Sequence, residues 1–552
     1  MATSVGTIQF DTTIAQAQEI LLGSNEADLM IVDQLGDRLG SISRRDLDTA
    51  AHYGFGHAAV IGHMTVRYQS EPQASNVTHF LSFLQSRLAL DLWHLLKVAA
   101  TAAEERGWQL FLVGGAVRDL LLDSQTNVDN LFIEDIDLVV DGVDQAANAG
   151  AGIELARSLQ IQYPQARLEI HAKFQTAALL WQNDPVFKSL GVDIATARTE
   201  VYAYPAANPI VKAGSIQQDL YRRDFTINAL AIRLTQSRGE DLLDFFGGLP
   251  DLQTRQIRVL HANSFIEDPT RIYRAVRFAV RLDFTIEPQT EQLIRYAIAS
   301  GIFQQVRVRV SADESAPANP NFHAATPALQ TRLKAELKYI LQAPYWLPAL
   351  HYLADLGALT CIHPSLKADA NLWRQLRGGE TAIRMSNVEC RLANGNPLLV
   401  WLFRLEILLA HLPPEHRAEV AAGLQLPVET CDRLKNLATA EASLSNALSN
   451  CSLPSQLVQV LKPYNLLMLL LVAIRRDRLL RKAIWRYLSH WSLIKPPLDG
   501  KSLKALGYKP GAQFKQILEA LTNATLDGEI RDRAEAEMFL QQNFPLLLKP
   551  TE

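Results

Sequence analysis

The spacing of apolar residues changes several times along this chain, and each change marks an element. Near the N-terminus, Leu29–Val32 and Leu39–Ile42 are short apolar runs separated by the turn-forming segment Asp33–Gly36, which predicts two strands. Asp11-Thr12-Thr13 precedes a first helix as its cap, and Ser43 and Asp46 stand in capping-box spacing at the start of a second. From Thr78 to Glu105, Phe80, Leu81, Leu84, Leu88, Leu92 and Leu95 recur at helical spacing. The apolar run that begins at Phe111 breaks at Gly114-Gly115 and resumes at Ala116, the pattern of strand, tight turn and helix. A second apolar run, Ile133–Val140, is expected as a strand, followed by a helix over Ile153–Leu159. The stretch Gln304–Pro327 is rich in Pro, Ala, Ser and Asn and reads as a loop. From Arg332 to the C-terminus apolar positions keep the helical period, which predicts an all-helical second half.

Two carboxylates interrupt the run Ile133–Val140. On a strand, residues two apart share a face, so Asp135 and Asp137 lie side by side. Such a pair repels itself unless a positive group sits between the two. Mg²⁺ is the candidate, because it takes oxygen ligands and keeps substrate phosphates in its shell. Gly114 and Gly115, about twenty residues earlier, allow backbone N–H groups to approach a triphosphate, and the helix start beyond them adds positive potential. Taken singly, a Gly-Gly pair is an ordinary turn and Asp-x-Asp an ordinary solvated strand end; it is the combination that points to phosphate chemistry.

Composition adjusts this picture only slightly. The 552 residues suggest several domains, and 48% hydrophobic with 20% charged content belongs to a globular chain. A formal charge of −4 gives no global basic signal, so a nucleic-acid partner needs a local basic face. Cys361, Cys390, Cys431 and Cys451 lack CxxC spacing, which argues for a reducing compartment and against a zinc site. The N-terminus has no basic-then-apolar leader, and the longest apolar run, Leu466–Ile474, is far short of the roughly 20 residues of a membrane span. A cytoplasmic protein with no membrane partner is expected.

The segments GGAVRD (Gly114–Asp119) and DIDLVV (Asp135–Val140) resemble the head of the class II nucleotidyltransferases, which include tRNA CCA-adding enzymes and bacterial poly(A) polymerases. RRDFTINA (Arg222–Ala229) matches that family's motif residue for residue, and EDPTR (Glu267–Arg271) matches its EDxxR motif. The resemblance covers Gly107–Arg281 strongly and the remainder to the C-terminus weakly. It implies a template-independent nucleotidyltransferase that adds C and/or A from CTP or ATP to the 3′ end of tRNA with two-metal Mg²⁺ chemistry. Asp135 and Asp137 would be the metal ligands. Asp193, in the alternating segment GVDIATARTEVY, would complete the catalytic carboxylates, with Glu200 as its competitor. Gly114, Gly115, Arg118, Arg222 and Arg223 would hold the triphosphate, and Asp119 would support Arg118. Asp224 would read the ribose, with Asn228 in the same motif.

The run Ile266–Phe278 is expected as one helix, with Asp268 as cap and Pro269 in the first turn, so that Asp268, Arg271 and Arg274 share a face. A carboxylate only accepts and a guanidinium only donates. An Asp268–Arg271 pair therefore suits the amino group and ring nitrogen of adenine and cytosine. Guanine and uracil present the reverse edge, leaving buried groups unsatisfied at about 1–3 kcal/mol each. The same pair would serve an enzyme adding C, C and A, one adding only part of that end, or a poly(A) polymerase.

The N-terminal segment is similar to a CBS domain, present as one copy and a remnant; there Ser43 and Asp46 could hold a ribose, against the plainer role of a helix cap. A different class of function follows if that unit senses an adenosine nucleotide and the head is inactive. Arg475, Arg478, Lys482 and Arg486 fall on one side of an expected helix Arg475–Leu488, a stripe suited to an RNA backbone. The expected fold class is α+β, with a CBS-like unit (1–72), a nucleotidyltransferase head with a mixed sheet (73–235), a helical neck with the base-reading helix (236–345) and a helical RNA-binding body and tail (346–552).

Overall fold

The two apolar runs near the N-terminus do become strands. In the computed structural model β1 (Thr7–Gln9), α1 (Ile14–Leu22), β2 (Asp28–Val32), β3 (Arg38–Ser43) and α2 (Arg44–His52) follow one another. The sheet order is β1-β2-β3, with β1 parallel and β3 antiparallel to β2. Thr13 caps α1 and Gln16 returns the bond, a complete capping box. The Ser43 hydroxyl donates to the Asp46 carboxylate, and the Asp46 N–H donates to Ser43 Oγ at 3.2 Å. This small unit has its own core, which includes Ile14, Leu21, Leu29, Ile31, Ile42 and Leu47.

The structure describes all residues except 1–5, 10–11, 25, 33–37, 53–59, 61–79, 124–131, 143–149, 202–208, 237–240, 302–324, 385–397 and 546–552. The expected turn Asp33–Gly36, the CBS-like remnant after Val66, most of the loop Gln304–Pro327, and Asp11 and Cys390 lie outside the described residues. The last residues of that loop already belong to the helix Ala325–Gln342.

The helical stretch after Thr78 forms two helices, α3 (Phe80–Arg87) and α4 (Leu90–Glu104). Ala89 takes an extended conformation between them (φ −55°, ψ 139°), and the break keeps both Leu88 and Leu92 buried. The head then runs β4 (Gln109–Val113), α5 (Gly115–Asp123), β5 (Asp135–Asp141), α6 (Ala151–Gln162), β6 (Arg167–His171), β7 (Thr176–Leu180), β8 (Gly191–Thr196), β9 (Arg198–Val201), β10 (Ile210–Ala213), α7 (Ile216–Tyr221), β11 (Leu230–Arg233) and β12 (Leu242–Asp244). Seven of these strands make one mixed sheet, ordered β12-β11-β4-β5-β8-β7-β6. Only the β5–β8 pairing is parallel. One face is covered by a core of Phe111, Val113, Val139, Ala231, Ile216 and Leu220. The close approach of α6 to β8 needs Gly152, whose added Cβ would lie 2.7 Å from the Ala195 carbonyl carbon.

Beyond the sheet come α8 (Gly248–Gln253), β13 (Gln256–Ile257), α9 (Ser264–Glu267), α10 (Arg271–Leu282), β14 (Thr285–Ile286) and α11 (Pro288–Ala299). The single helix expected over Ile266–Phe278 is therefore broken. Pro269 has no N–H and biases the residue before it toward extended backbone, and Asp268 is extended (φ −134°, ψ 93°). Asp268 does not cap α10; its carboxylate accepts from the N–H and hydroxyl of Thr270.

Two compact units result, Met1–Glu336 with Tyr345–Cys361, and Leu337–Pro344 with Ile362–Glu552. Among its described residues the second unit contains helices and no strand. Its apolar run Leu466–Ile474 forms most of the helix Leu466–Arg475 and is buried from Met468 onward. Among the described residues no single helix is long and apolar enough to cross a membrane. Pro454–Leu461 and Leu466–Arg475 qualify only as a joined pair, bent by 113°. The expected helix Arg475–Leu488 is also split. Arg476 is extended (φ −98°, ψ 179°), and Asp477 caps a new helix, Arg478–Ser489. Arg475 ends the preceding helix and pairs with Glu441 at 2.7 Å, so it is not part of the stripe formed by Arg478, Lys482 and Arg486.

Candidate active site

Strand β5 carries Asp135, Asp137 and Val139 on one face and Ile136, Leu138 and Val140 on the other. Val139 joins the sheet's core, while Asp135 and Asp137 continue the same face out to an open edge. The neighbouring strands set their surroundings. Asp137 pairs in register with Val113 on β4 and with Asp193 on β8, and parallel partners project to the same side. The three carboxylates thus share one end of one face.

The turn after β4 brings the glycines to this point. Gly114 has φ +72°, a conformation that favours glycine. A Cβ there would stand 2.9 Å from Arg223 Nη1 and 3.1 Å from Asp137 Oδ2. Gly114 therefore lies between a guanidinium and a carboxylate, and Gly115 opens α5 immediately after. The close packing of protein atoms raises the pKa of Asp137, although its side chain stays open to the cleft. Arg223 opposes that rise, and Asp135 and Asp219 add to it. Asp193 is raised too, by desolvation first and then by Asp137 and Asp135. These carboxylates repel one another across the face, which is the condition under which a divalent cation is held.

Gly114, Gly115, Arg118, Asp135, Asp137, Arg222, Arg223, Asp224, Asn228, Asp268, Arg271 and Arg274 all line a single cleft of about 890 Å³. Asp193 is in register with Asp137 but is not among the lining residues. Glu200 does line the cleft, yet it is committed to ion pairs with Arg198 at 3.2 Å and Arg222 at 2.9 Å.

The arginines are held by acids. Asp219 on α7 is fully buried, and its carboxylate accepts from Arg222 at 2.8 Å and from Arg223 at 3.2 Å. Burial pushes the Asp219 pKa up, but Arg222 and Arg223 outweigh it and the net shift is downward. Arg223 keeps its Nε buried and without a hydrogen-bond partner among the described residues. Arg118 donates to Asp119 and to Asn228, each at 2.7 Å, and lies over the Phe278 ring. Asp119 thus supports Arg118.

Asp224 accepts from Asn228 at 3.0 Å and from Arg274 at 2.8 Å, and although burial alone would raise its pKa, Arg274 brings it down to about 2. Arg271 is buried, donating to the Ser264 hydroxyl and, at 2.8 Å, to the Arg222 carbonyl. Asp268 and Arg271 meet through the backbone, where the Arg271 N–H donates to the Asp268 carbonyl at 3.0 Å. The Asp268 carboxylate lies 3.4 Å from Arg332. Arg332 and Glu336 belong to the helix Ala325–Gln342, and Glu336 accepts from Arg274 at 3.0 Å and Arg277 at 2.8 Å.

Asp219, Arg332, Glu336 and Phe278 carry no motif that singles them out in the sequence. Asp219 stands three and four residues before Arg222 and Arg223, a helical ion-pair spacing that could have exposed it. The links from Glu336 and Arg332 span some sixty residues and have no local signal.

Residues 110–258 match the family described as the Poly A polymerase head domain. The chain is 27% identical to the A-adding tRNA nucleotidyltransferase of Geobacter sulfurreducens over 97% of its own length and 63% of that protein. It is 31% identical to that of Aquifex aeolicus over 74% of its length and 44% of the relative, so it spans well under two thirds of the second of these relatives and just under two thirds of the first. With the A-adding enzyme of Halalkalibacterium halodurans it shares 28% identity over 87% of its length and 99% of that protein. In structure it is similar to the Thermotoga maritima CCA-adding enzyme complexed with tRNA, with TM-score 0.60 and 27% identity, covering 84% of this chain and 98% of that one. A CCA-adding enzyme in complex with ATP gives TM-score 0.60 and 27% identity, over 85% and 98%. Residues 110–258 therefore resemble a Poly A polymerase head domain in sequence, and the chain is similar in fold to CCA-adding enzymes over most of its length.

Proposed function

We propose that this protein is a template-independent nucleotidyltransferase that adds C and/or A from CTP or ATP to the 3′ end of tRNA. The carrying observation is the meeting of Asp135, Asp137 and Asp193 on one sheet face with Gly114 and Arg223 at their edge. The names of the relatives favour tRNA as substrate. A poly(A) polymerase uses the same head and is the second reading, favoured by the family match alone.

The donor set fits a divalent cation, proposed as Mg²⁺. Among the described residues no group of three or more His, Cys, Asp or Glu side chains forms a ready cage. Mg²⁺ suits such a site, since it is bound by one or two carboxylates together with substrate phosphates. Asp135 and Asp137 would hold it, with Asp193 as the third carboxylate in place of the ion-paired Glu200. When bound it lowers the pKa of the attacking 3′-hydroxyl and stabilises charge on the leaving pyrophosphate.

The remaining steps belong to this chain's own residues. The Gly114-Gly115 turn and the start of α5 receive the triphosphate. Arg118, Arg222 and Arg223 contact it, each preset by a carboxylate or amide and so costing little reorganisation. Asp224, with Asn228 and Arg274, faces the ribose, and Asp268 with Arg271 reads the base. In this reading Asp268 exchanges Arg332 for the amino group of adenine or cytosine. The proposed domains are the CBS-like unit 1–72, the head 73–235, the neck 236–345 and the body and tail 346–552. Residues Arg478, Lys482 and Arg486 are proposed to meet the RNA backbone. The protein is proposed to work in the cytoplasm.

Asp135→Ala tests the metal assignment. Incorporation should fall by on the order of a thousandfold, the loss of several kcal/mol of transition-state stabilisation, while tRNA binding stays near wild type. Retained incorporation would refute the assignment.

A further inference from the structure

The helix α2 of the N-terminal unit touches the nucleotide-choosing element by two separate routes. On the first, the buried side-chain amide of Asn263 donates to the Asp46 carbonyl at 2.9 Å. The next residue, Ser264, receives the Arg271 guanidinium. On the second, Arg45 donates to the Glu200 carbonyl at 3.4 Å and lies 5.5 Å from the centre of the Tyr221 ring. Tyr221 in turn stacks on the buried His261 at 5.3 Å. Glu200 holds Arg222, and the Arg222 carbonyl receives the other Arg271 contact. Arg45 is also within electrostatic reach of His261 and Glu267, which flank Asn263 and Asp268. Both of these guanidinium contacts of Arg271 therefore lead back to α2 in a few steps.

Resting on the nucleotidyltransferase reading above, we infer that α2 is a built-in positioning element for nucleotide choice, with Arg45 and Asn263 fixing Arg271 from behind. The Ser43–Asp46 pair fits this role. Asp46 is buried, its carboxylate engaged by Ser43 and its carbonyl by Asn263, so the side chain that would meet a ribose in a CBS-like site faces inward. The unit is used as a brace, with its ligand position closed. Small displacements of a donor in a recognition site are costly, because the donor's geometry carries the discrimination.

The test uses the full chain, tRNA lacking its terminal A (or lacking CA where wild type takes C), and Arg45→Ala and Asn263→Ala variants. Incorporation kinetics are measured with ATP against GTP, or with CTP against UTP where wild type takes C. The preference, expressed as the ratio of kcat/KM values, should fall by about tenfold or more in both variants. The kcat for the preferred nucleotide should stay within about twofold of wild type. A merely structural role would lower the active fraction and leave the ratio unchanged. Arg45 is exposed and its variant is expected to fold, so it decides the matter if Asn263→Ala melts early. An unchanged ratio in Arg45→Ala would overturn the inference. Wild type that incorporates nothing would overturn the activity itself, a separate outcome.

Discussion

Single residues carry most of the chemistry here, and those with chemical pattern were visible in the chain. Asp135 and Asp137 stand out because the two carboxylates interrupt an apolar run about twenty residues after the Gly114-Gly115 turn. The structure adds what the run could not: Gly114 between Asp137 and Arg223. Glu267 shows the opposite case. It is a motif position in sequence, but its burial is a tertiary fact. Desolvation raises its pKa to about 7, against the opposing pull of Arg271 and Arg45. The folded-state value lies above the ordinary 4.5, so the protonated form favours the fold. That contribution is fully present below about pH 4.5 and is lost as pH rises through about 7. Glu267→Gln should remove this slope. Between pH 4.5 and 7.5 the variant should gain stability relative to wild type by on the order of 3 kcal/mol in thermal or urea melts. Parallel pH profiles would contradict the account.

At the scale of elements, periodicity located strands such as β2, β3 and β5 and ran on through breaks between helices. Helical spacing continues through Pro269, but a proline without an N–H dictates the backbone of Asp268, and the segment from Asp268 to Thr270 is a short turn followed by α10. Spacing also continues through Arg475, yet an extended Arg476 and the Asp477 cap start a new helix. The corrected helix, Arg478–Ser489, exposes Arg478, Arg481, Lys482 and Arg486 and contains no acidic residue. Arg481 thus joins the stripe expected from the sequence, and Arg475 is excluded by its pairing with Glu441. A surface of this kind binds phosphates through counterion release. Lys482→Ala with Arg486→Ala should weaken tRNA binding and make the slope of log K against log salt shallower, by about one for each phosphate that is no longer neutralised. An unchanged slope would show that this face does not meet RNA.

For the whole molecule, the α+β class and the helical second half were legible because sheet and helix periods occupy separate stretches of the chain. The bracing of the head by α2 was not, since Asp46 and Asn263 are separated by 217 residues. Nor was the link from the helix Ala325–Gln342 to Arg274 and Arg277 through Glu336. Long-range polar contacts leave no period in a sequence. What they assemble is one cleft with carboxylates at one edge, arginines along it and an acceptor–donor set at its end. The most direct measurement of its purpose supplies the purified chain with tRNAs lacking A, CA or CCA and each nucleotide separately. The account predicts incorporation of A or C, or both, ending once the C, C, A terminus is complete, with G and U refused. Tails of indefinite length on unstructured RNA, or equal use of all four nucleotides, would contradict it.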